Sequence, residues 1–173
     1  MENREPAIRP ALPEDSEALA HLHVDSWRAA YSGLVPESHL AKLDYVKRAE
    51  RFRTFLRQSD DNFLVEIDDE IAGFLTVGTC RDKDLDRAAT GEIWGIYLAQ
   101  AFWRQGVGTA LYRFGEQLLI SRGYSQAVLW VLKNNAQARL FYEAMGFTLD
   151  GVEREYDFDA PLTGVRYHKA LIK

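Results

Sequence analysis

Apolar residues along this chain change period several times, and each change marks an element. Ala7-Ile8-Arg9-Pro10 reads as a short strand over 7–10. From residue 13 the spacing becomes helical. Leu19, Leu22, Trp27 and Ala30 lie near one face, which predicts a helix over 13–31. Asp15 or Ser16 supplies its early acidic and capping chemistry, and Ser32-Gly33 ends it. Residues 37–56 form a second helical region with a break near Asp44. Two apolar runs, 63–67 and 71–79, flank Asp68-Asp69-Glu70 and predict a hairpin. Residues 81–89 are charged, lack an apolar period and predict a loop. A strand over 90–98 follows, then a helix over 109–122 closed by Gly123. The run 127–132 is apolar throughout, as in a strand buried on both faces. Residues 136–145 predict a helix with Asn134 or Asn135 at its start and Gly146 past its end. Strands over 148–158 and 165–172 predict a closing hairpin around a polar loop. This order implies an α+β fold with a mixed, mostly antiparallel sheet.

Composition narrows the class. The chain has 173 residues, 47% hydrophobic and 27% charged, which suits one globular domain over 1–173. A chain of about 150 residues buries roughly two-thirds of its unfolded surface. The net charge of −5, without a basic cluster, argues against a nucleic-acid partner. The single cysteine, Cys80, excludes an intramolecular disulfide, and its apolar setting predicts a buried small hydrophobe. His21 and His23 are two apart and face different ways on a helix, while His39 and His168 stand alone. No metal site is expected. The opening Met1 to Pro6 has no apolar core, and no apolar run approaches 18 residues, so neither a leader nor a membrane span is expected. A cytoplasmic location follows as an expectation.

The candidate chemistry begins at Trp94-Gly95-Ile96-Tyr97-Leu98, where an apolar run stops. A turn, Arg104-Gln105-Gly106-Val107-Gly108-Thr109, then opens a helical pattern. Glycines allow close backbone approach, and free N–H groups at a helix start favour a phosphate or pyrophosphate. The bland alternative is a tight strand-to-helix turn. A nucleotide P-loop is excluded, because Thr109-Ala110 follows Gly108 where Lys-Ser or Lys-Thr is needed. A dinucleotide fingerprint is excluded too, because Leu111 stands at its third glycine.

A second segment, Asn135-Ala136-Gln137-Ala138-Arg139-Leu140-Phe141-Tyr142-Glu143-Ala144-Met145-Gly146-Phe147, weighs on that choice. Together the two segments strongly resemble the GNAT acyltransferase superfamily, whose members mostly move an acetyl group from acetyl-CoA to an amine. The one departure is Trp103, which stands where Arg or Gln is usual. The resemblance spans nearly the whole chain, including Ile8-Arg9-Pro10-Ala11 and Val165-Arg166-Tyr167 as first and last strands. It implies a GNAT-type fold, a central sheet of about six to seven strands flanked by about four helices.

The resemblance also implies roles. Backbone N–H groups of Arg104, Gln105, Gly106, Val107, Gly108 and Thr109 would hold the pyrophosphate of acetyl-CoA, with Arg104 adding a charge-assisted bond. Ile96, Tyr97 and Leu98 would pair with pantetheine where the strand splays from its neighbour, and the Leu98 N–H would polarise the thioester carbonyl. Asn135 caps its helix, reaches pantetheine, or does both. Tyr142 carries its proton at neutral pH and would give it to the departing thiolate; otherwise it is a core aromatic.

An alkylamine is only about one part in a few thousand neutral at pH 7, so a base would help. Glu92 is the candidate, because period-two alternation places it on one face with Trp94, Ile96 and Leu98; it is otherwise a solvated strand-end carboxylate. The next strand offers only Trp130 at the corresponding place. Trp27 and Tyr31, one turn apart, are candidate walls for the acceptor or else core aromatics. His21, His23, Asp25 and Glu37 are further candidate acceptor contacts. The expected activity is N-acetylation of a primary amine by direct attack in a ternary complex, with a small-molecule amine or metabolite as acceptor. A protein N-terminal or lysine acetyltransferase and a non-catalytic CoA-binding regulatory module are the alternatives. A homodimer is a further possibility that the resemblance raises.

Overall fold

The computed structural model describes residues 6–172. Most of the leader reading, at Met1 to Glu5, therefore lies outside the described residues. The chain runs β1 (Ala7–Pro10), α1 (Ser16–Tyr31), α2 (Glu37–Ala41), α3 (Tyr45–Leu56), β2 (Asn62–Ile67), β3 (Glu70–Thr79), β4 (Thr90–Leu98), α4 (Val107–Ser121), β5 (Gln126–Leu132), α5 (Ala136–Ala144), β6 (Thr148–Asp157) and β7 (Pro161–Ala170). Single 3-10 turns cover Pro13–Asp15 and Gln100–Phe102. The first of these replaces the start expected for α1. The Asp15 carboxylate is engaged by the Leu12 N–H at 2.8 Å and by Arg9 at 2.8 Å, which tightens that turn. The break at Asp44 has a local cause, since Asp44 caps α3 by accepting from the Lys47 N–H at 2.8 Å.

The turn between β2 and β3 is two residues long. Asp68 and Asp69 both take positive φ, 52° and 63°, matching the right-handed twist of the flanking strands. The last hairpin is tighter than expected. Asp159 (φ 63°) turns the chain at 158–160, and β7 starts at Pro161, so the expected polar loop is mostly strand.

Seven strands form one sheet in the order β1-β2-β3-β4-β5-β7-β6. Every neighbouring pair is antiparallel except β4 with β5. One face carries α4 and a core that includes Leu75, Val77, Ile93, Leu111, Leu119 and Leu129. The other face carries α1 and α3, with Leu19, Ala20, Phe52, Leu64 and Phe74 between them. Among the described residues no helix is long and apolar enough to cross a membrane.

Two irregularities shape the centre of the sheet. The parallel pairing runs only from Thr90 opposite Gln126 to Ile93 opposite Leu129. Beyond it β4 continues to Leu98 and β5 to Leu132 with no ladder between them, which opens a cleft. The second irregularity is a bulge at Trp94, where Val77 faces Ile93 but Thr76 already faces Gly95. One extra residue reverses the alternation downstream. Ile93, Ile96 and Leu98 therefore share the α4 face. Tyr97 packs on the α1 face, and Trp94 points the same way, stacking on Phe55 of α3.

Candidate active site

The cleft between the diverging strands has a volume of about 370 Å³, and Ile96, Leu98, Trp103, Asn135, Phe141 and Tyr142 are among its walls. Its β4 edge is chemically defined by one hydrogen bond. The Ala99 N–H donates to the Ala72 oxygen at 2.9 Å. Backbone groups alternate between strand edges, so the N–H groups of Leu98 and Ile96 turn the other way, towards the cleft. The Leu98 carbonyl on that edge accepts from Trp103 Nε1 at 3.1 Å. Trp103, a departure from the expected turn motif, thus closes the end of the open edge.

At the mouth, the turn before α4 needs two left-handed residues, Arg104 (φ 58°) and Gly106 (φ 84°). The first backbone bond of α4 runs from the Ala110 N–H to the Gly106 oxygen at 3.0 Å. Among the described residues, the N–H groups of Val107, Gly108 and Thr109 have no backbone acceptor, as expected of a first helical turn. With the positive end of the helix dipole, such free N–H groups favour an anion. The two glycines do different work. A Cβ on Gly106 would meet nothing within 4 Å, whereas one on Gly108 would lie 3.2 Å from Leu98 Cδ1 and 3.6 Å from Phe141. Gly106 supplies the backbone conformation, and Gly108 lets α4 sit close to β4 and α5. The Gln105 side chain folds back onto the Ala101 carbonyl at 2.6 Å, Val107 is buried in the core, and Arg104 is exposed beside the cleft.

From the β5 side, Asn135 Oδ1 accepts the Ala138 N–H at 3.1 Å and caps α5. The Asn135 residue is itself buried and lines the cleft. One face of α5 then presents Tyr142, which packs edge-on against Phe141 and Phe147. Burial pushes the Tyr142 hydroxyl well above the usual phenol range, so it stays protonated. Tyr31 faces it from α1, and burial raises that hydroxyl as well. Trp27 does not line the cleft. It packs behind Tyr31, 4.5 Å between ring centroids, and against Phe158 at 5.7 Å. His23 sits deeper, 4.8 Å from the Tyr97 ring, and burial pushes its imidazole down to about 3, with Arg48 adding to the effect.

Glu92 is placed differently from the alternation argument. The bulge at Trp94 separates it from the face of Ile96 and Leu98. Its side chain is 1% exposed and does not line the cleft. It accepts the Arg81 N–H at 2.9 Å and the Arg81 guanidinium at 2.5 Å. A carboxylate so engaged anchors Arg81. Among the described residues, the cleft walls hold no carboxylate and no histidine. His21 stacks on Tyr45 at 4.1 Å, and Asp25 accepts from the Tyr45 hydroxyl at 2.6 Å, both on the outer side of α1. Glu37 starts α2 and lies off the cleft walls.

The charged loop 81–89 carries a feature that its sequence did not announce. Asp82 is buried and accepts from Trp130 Nε1 at 2.9 Å, from Arg166 at 3.1 Å and from Arg154. The buried Arg166 also pairs with Asp84 at 2.8 Å and Asp150 at 2.6 Å. This network ties the loop to β5, β6 and β7. Five charged groups with no common period gave the sequence no signal for it.

Known proteins share this fold. The fold matches the paia N-acetyltransferase of Thermoplasma acidophilum, solved in complex with coenzyme A, with a TM-score of 0.79 at 19% identity over 96% of this chain and 99% of that one. It also matches yncA of Salmonella typhimurium, solved with its cofactor acetyl-CoA, with a TM-score of 0.73 at 17% identity over 98% and 95% of the two chains. Residues 17–147 match the model of the acetyltransferase (GNAT) family, and the chain belongs to that family of acyltransferases. Uncharacterized N-acetyltransferase YuaI of Bacillus subtilis (strain 168) is 30% identical over 161 residues, covering 92% of this chain and 87% of the relative.

Proposed function

We propose that this chain transfers an acetyl group from acetyl-CoA to a primary amine by direct attack in a ternary complex. One observation carries the reading. The edge of β4 that parts from β5 aims the Ile96 and Leu98 N–H groups into a cleft, and the cleft ends at the open N-terminus of α4. An extended amide chain fits the first and a pyrophosphate fits the second. Acetyl-CoA supplies the activated acyl group as a thioester.

The protein's own groups then divide the work. Val107, Gly108 and Thr109 N–H groups hold the pyrophosphate, and Arg104 adds a cation from the exposed side. The Leu98 N–H bonds to the carbonyl oxygen where negative charge develops. The amine nitrogen forms the new N–C bond, the C–S bond breaks, and Tyr142 gives its proton to the leaving sulfur. The proton shed by nitrogen returns to the Tyr142 oxygen through water. Among the described residues no carboxylate lines the cleft, so the amine reacts from its neutral fraction.

The test is a calorimetric titration with acetyl-CoA followed by thiol release across a panel of amines. Wild type binds and turns over. Tyr142→Phe keeps acetyl-CoA affinity within a few-fold and loses roughly 10²–10⁴ in kcat. Absence of binding at millimolar acetyl-CoA would sink the reading.

A further inference from the structure

Trp94 of β4 and Trp130 of β5 line the cleft where the two strands begin to part. Each indole carries a guanidinium. Arg81 lies 4.6 Å from the Trp94 ring centroid, and Arg154 lies 4.0 Å from that of Trp130. A buried carboxylate holds each cation. Glu92 takes Nε and Nη2 of Arg81, and Asp82 takes Nη2 of Arg154. Both carboxylates are almost fully buried, while the two arginine side chains remain 54% and 43% exposed. Stacking and the anchoring carboxylate fix the plane of each guanidinium. Donors on the free side, Nη1 of Arg81 among them, are left for another acceptor.

Two further donors lie on the α3 side of the sheet. Trp94 Nε1 is buried without an acceptor among the described residues. Arg48 of α3 is half-buried and has no carboxylate partner among the described residues. The field of both Arg48 and Arg81 reaches the Tyr97 hydroxyl, which burial otherwise raises. The remaining acidic groups nearby, Asp84 and Asp150, are paired with Arg166. Arg81 and Arg154 flank the cleft through the two indoles rather than standing among its walls, and the carboxylates around them are each already paired with an arginine.

We propose that the acceptor amine carries a carboxylate, and that Arg81 and Arg154, set by Glu92 and Asp82, bind that carboxylate beside Trp94 and Trp130. This rests on the acetyltransferase reading above. Planar guanidinium groups match a carboxylate in geometry and charge. A polyamine would meet the outward guanidinium groups first, with the carboxylates behind them already engaged. Glu92 and Asp82 are positioning residues in this account. The carboxylate could belong to a free amino acid or to the acidic first residue of a peptide, and the test separates these sources.

Acetyl-CoA affinity is measured first; its absence counts against the acetyltransferase reading alone. Thiol release is then compared within matched pairs, each amino acid against its carboxamide, alongside spermidine and peptides beginning with Asp or Asn. The same pairs are titrated by calorimetry into the protein saturated with coenzyme A. The expected result is at least a tenfold preference for the carboxylated partner in kcat/KM or in Kd. Preference within the amino-acid pairs assigns a free amino acid, and preference only within the peptide pair assigns a peptide. The Arg81→Gln/Glu92→Gln double variant avoids leaving Glu92 buried and unpaired. It is expected to keep acetyl-CoA affinity and to reduce that preference at least tenfold through KM or Kd. Arg154→Gln acts in the same direction. Equal use of both partners by both readouts, preference for spermidine, or an unchanged preference in both variants overturns the proposal.

Discussion

The two halves of the cleft are built from different materials. The half proposed for the cofactor comes from two near-continuous segments, 94–109 and 135–142. Its polar groups are mostly backbone: strand-edge N–H groups at Ile96 and Leu98, and the first turn of α4. The half proposed for the acceptor comes from α1, α3, the loop before β4 and the last hairpin. Its polar groups are side chains paired across long separations, such as Asp82 with Arg166, 84 positions apart. A backbone site requires a conformation, and many side chains are compatible with it. A side-chain site requires particular residues, and exchanging one changes what binds. The first half suits a constant donor and the second a variable acceptor.

The sharpest way to break this contrast is at Gly106. The φ of 84° disfavours any side chain, and an indole would stand where the anion is held. Gly106→Trp is expected to abolish measurable acetyl-CoA binding by calorimetry while the circular dichroism spectrum stays native. Retained affinity would mean that the α4 turn does not hold the donor.

The corresponding break in the acceptor half is Arg166→Met. It leaves Asp82, buried to the same degree, without that partner. Removing one member of a buried ion pair costs about 3–5 kcal/mol, so a loss of that size is expected in urea unfolding. A loss under about 1 kcal/mol would show that the network contributes only surface-type pairing.

His23 tests the floor beneath Tyr97. Its folded pKa is depressed to about 3, so the unfolded chain binds the proton more readily. Its contribution to stability is full above the unfolded value of about 6.5 and falls as pH drops below it, by up to about 1.4 kcal/mol per unit. Between pH 6.5 and 4.5, above the usual carboxylate range, wild type should lose stability steadily and His23→Leu should show a flatter profile. Parallel profiles would exclude a buried neutral imidazole as the cause.

The smallest effect sharpens the boundary between the halves. Trp103→Phe removes the bond to the Leu98 carbonyl and leaves an aromatic ring in place. About 1 kcal/mol, or roughly fivefold in acetyl-CoA affinity, is expected in the calorimeter. Unchanged affinity would make Trp103 a packing residue alone.

The strands and helices were legible because period, caps and glycines act over a few residues. Asp44 breaks the second helical region as its type suggests, and Gly123 ends α4 at φ 90°. The glycine turn before α4 was legible for the same reason, since its backbone geometry is contained in Arg104 to Thr109. The face of Glu92 was not. Strict alternation assigned it beside Ile96 and Leu98, but a bulge at Trp94 reversed the parity downstream. A bulge depends on how β4 registers against β3, and nothing within β4 announces it. Trp27 could be placed on the helix face with Tyr31, yet only the last hairpin decides that it is covered by Phe158.

The sequence by itself determined the order of elements, the open helix start and the position of Tyr142 on α5, because these follow from local backbone chemistry. The tertiary structure alone decided where β4 leaves β5, that Glu92 anchors Arg81, and that loop charges are buried against β6 and β7. Those outcomes depend on which side chains meet across the sheet, and burial and pairing energies between distant residues exist only once the chain has folded.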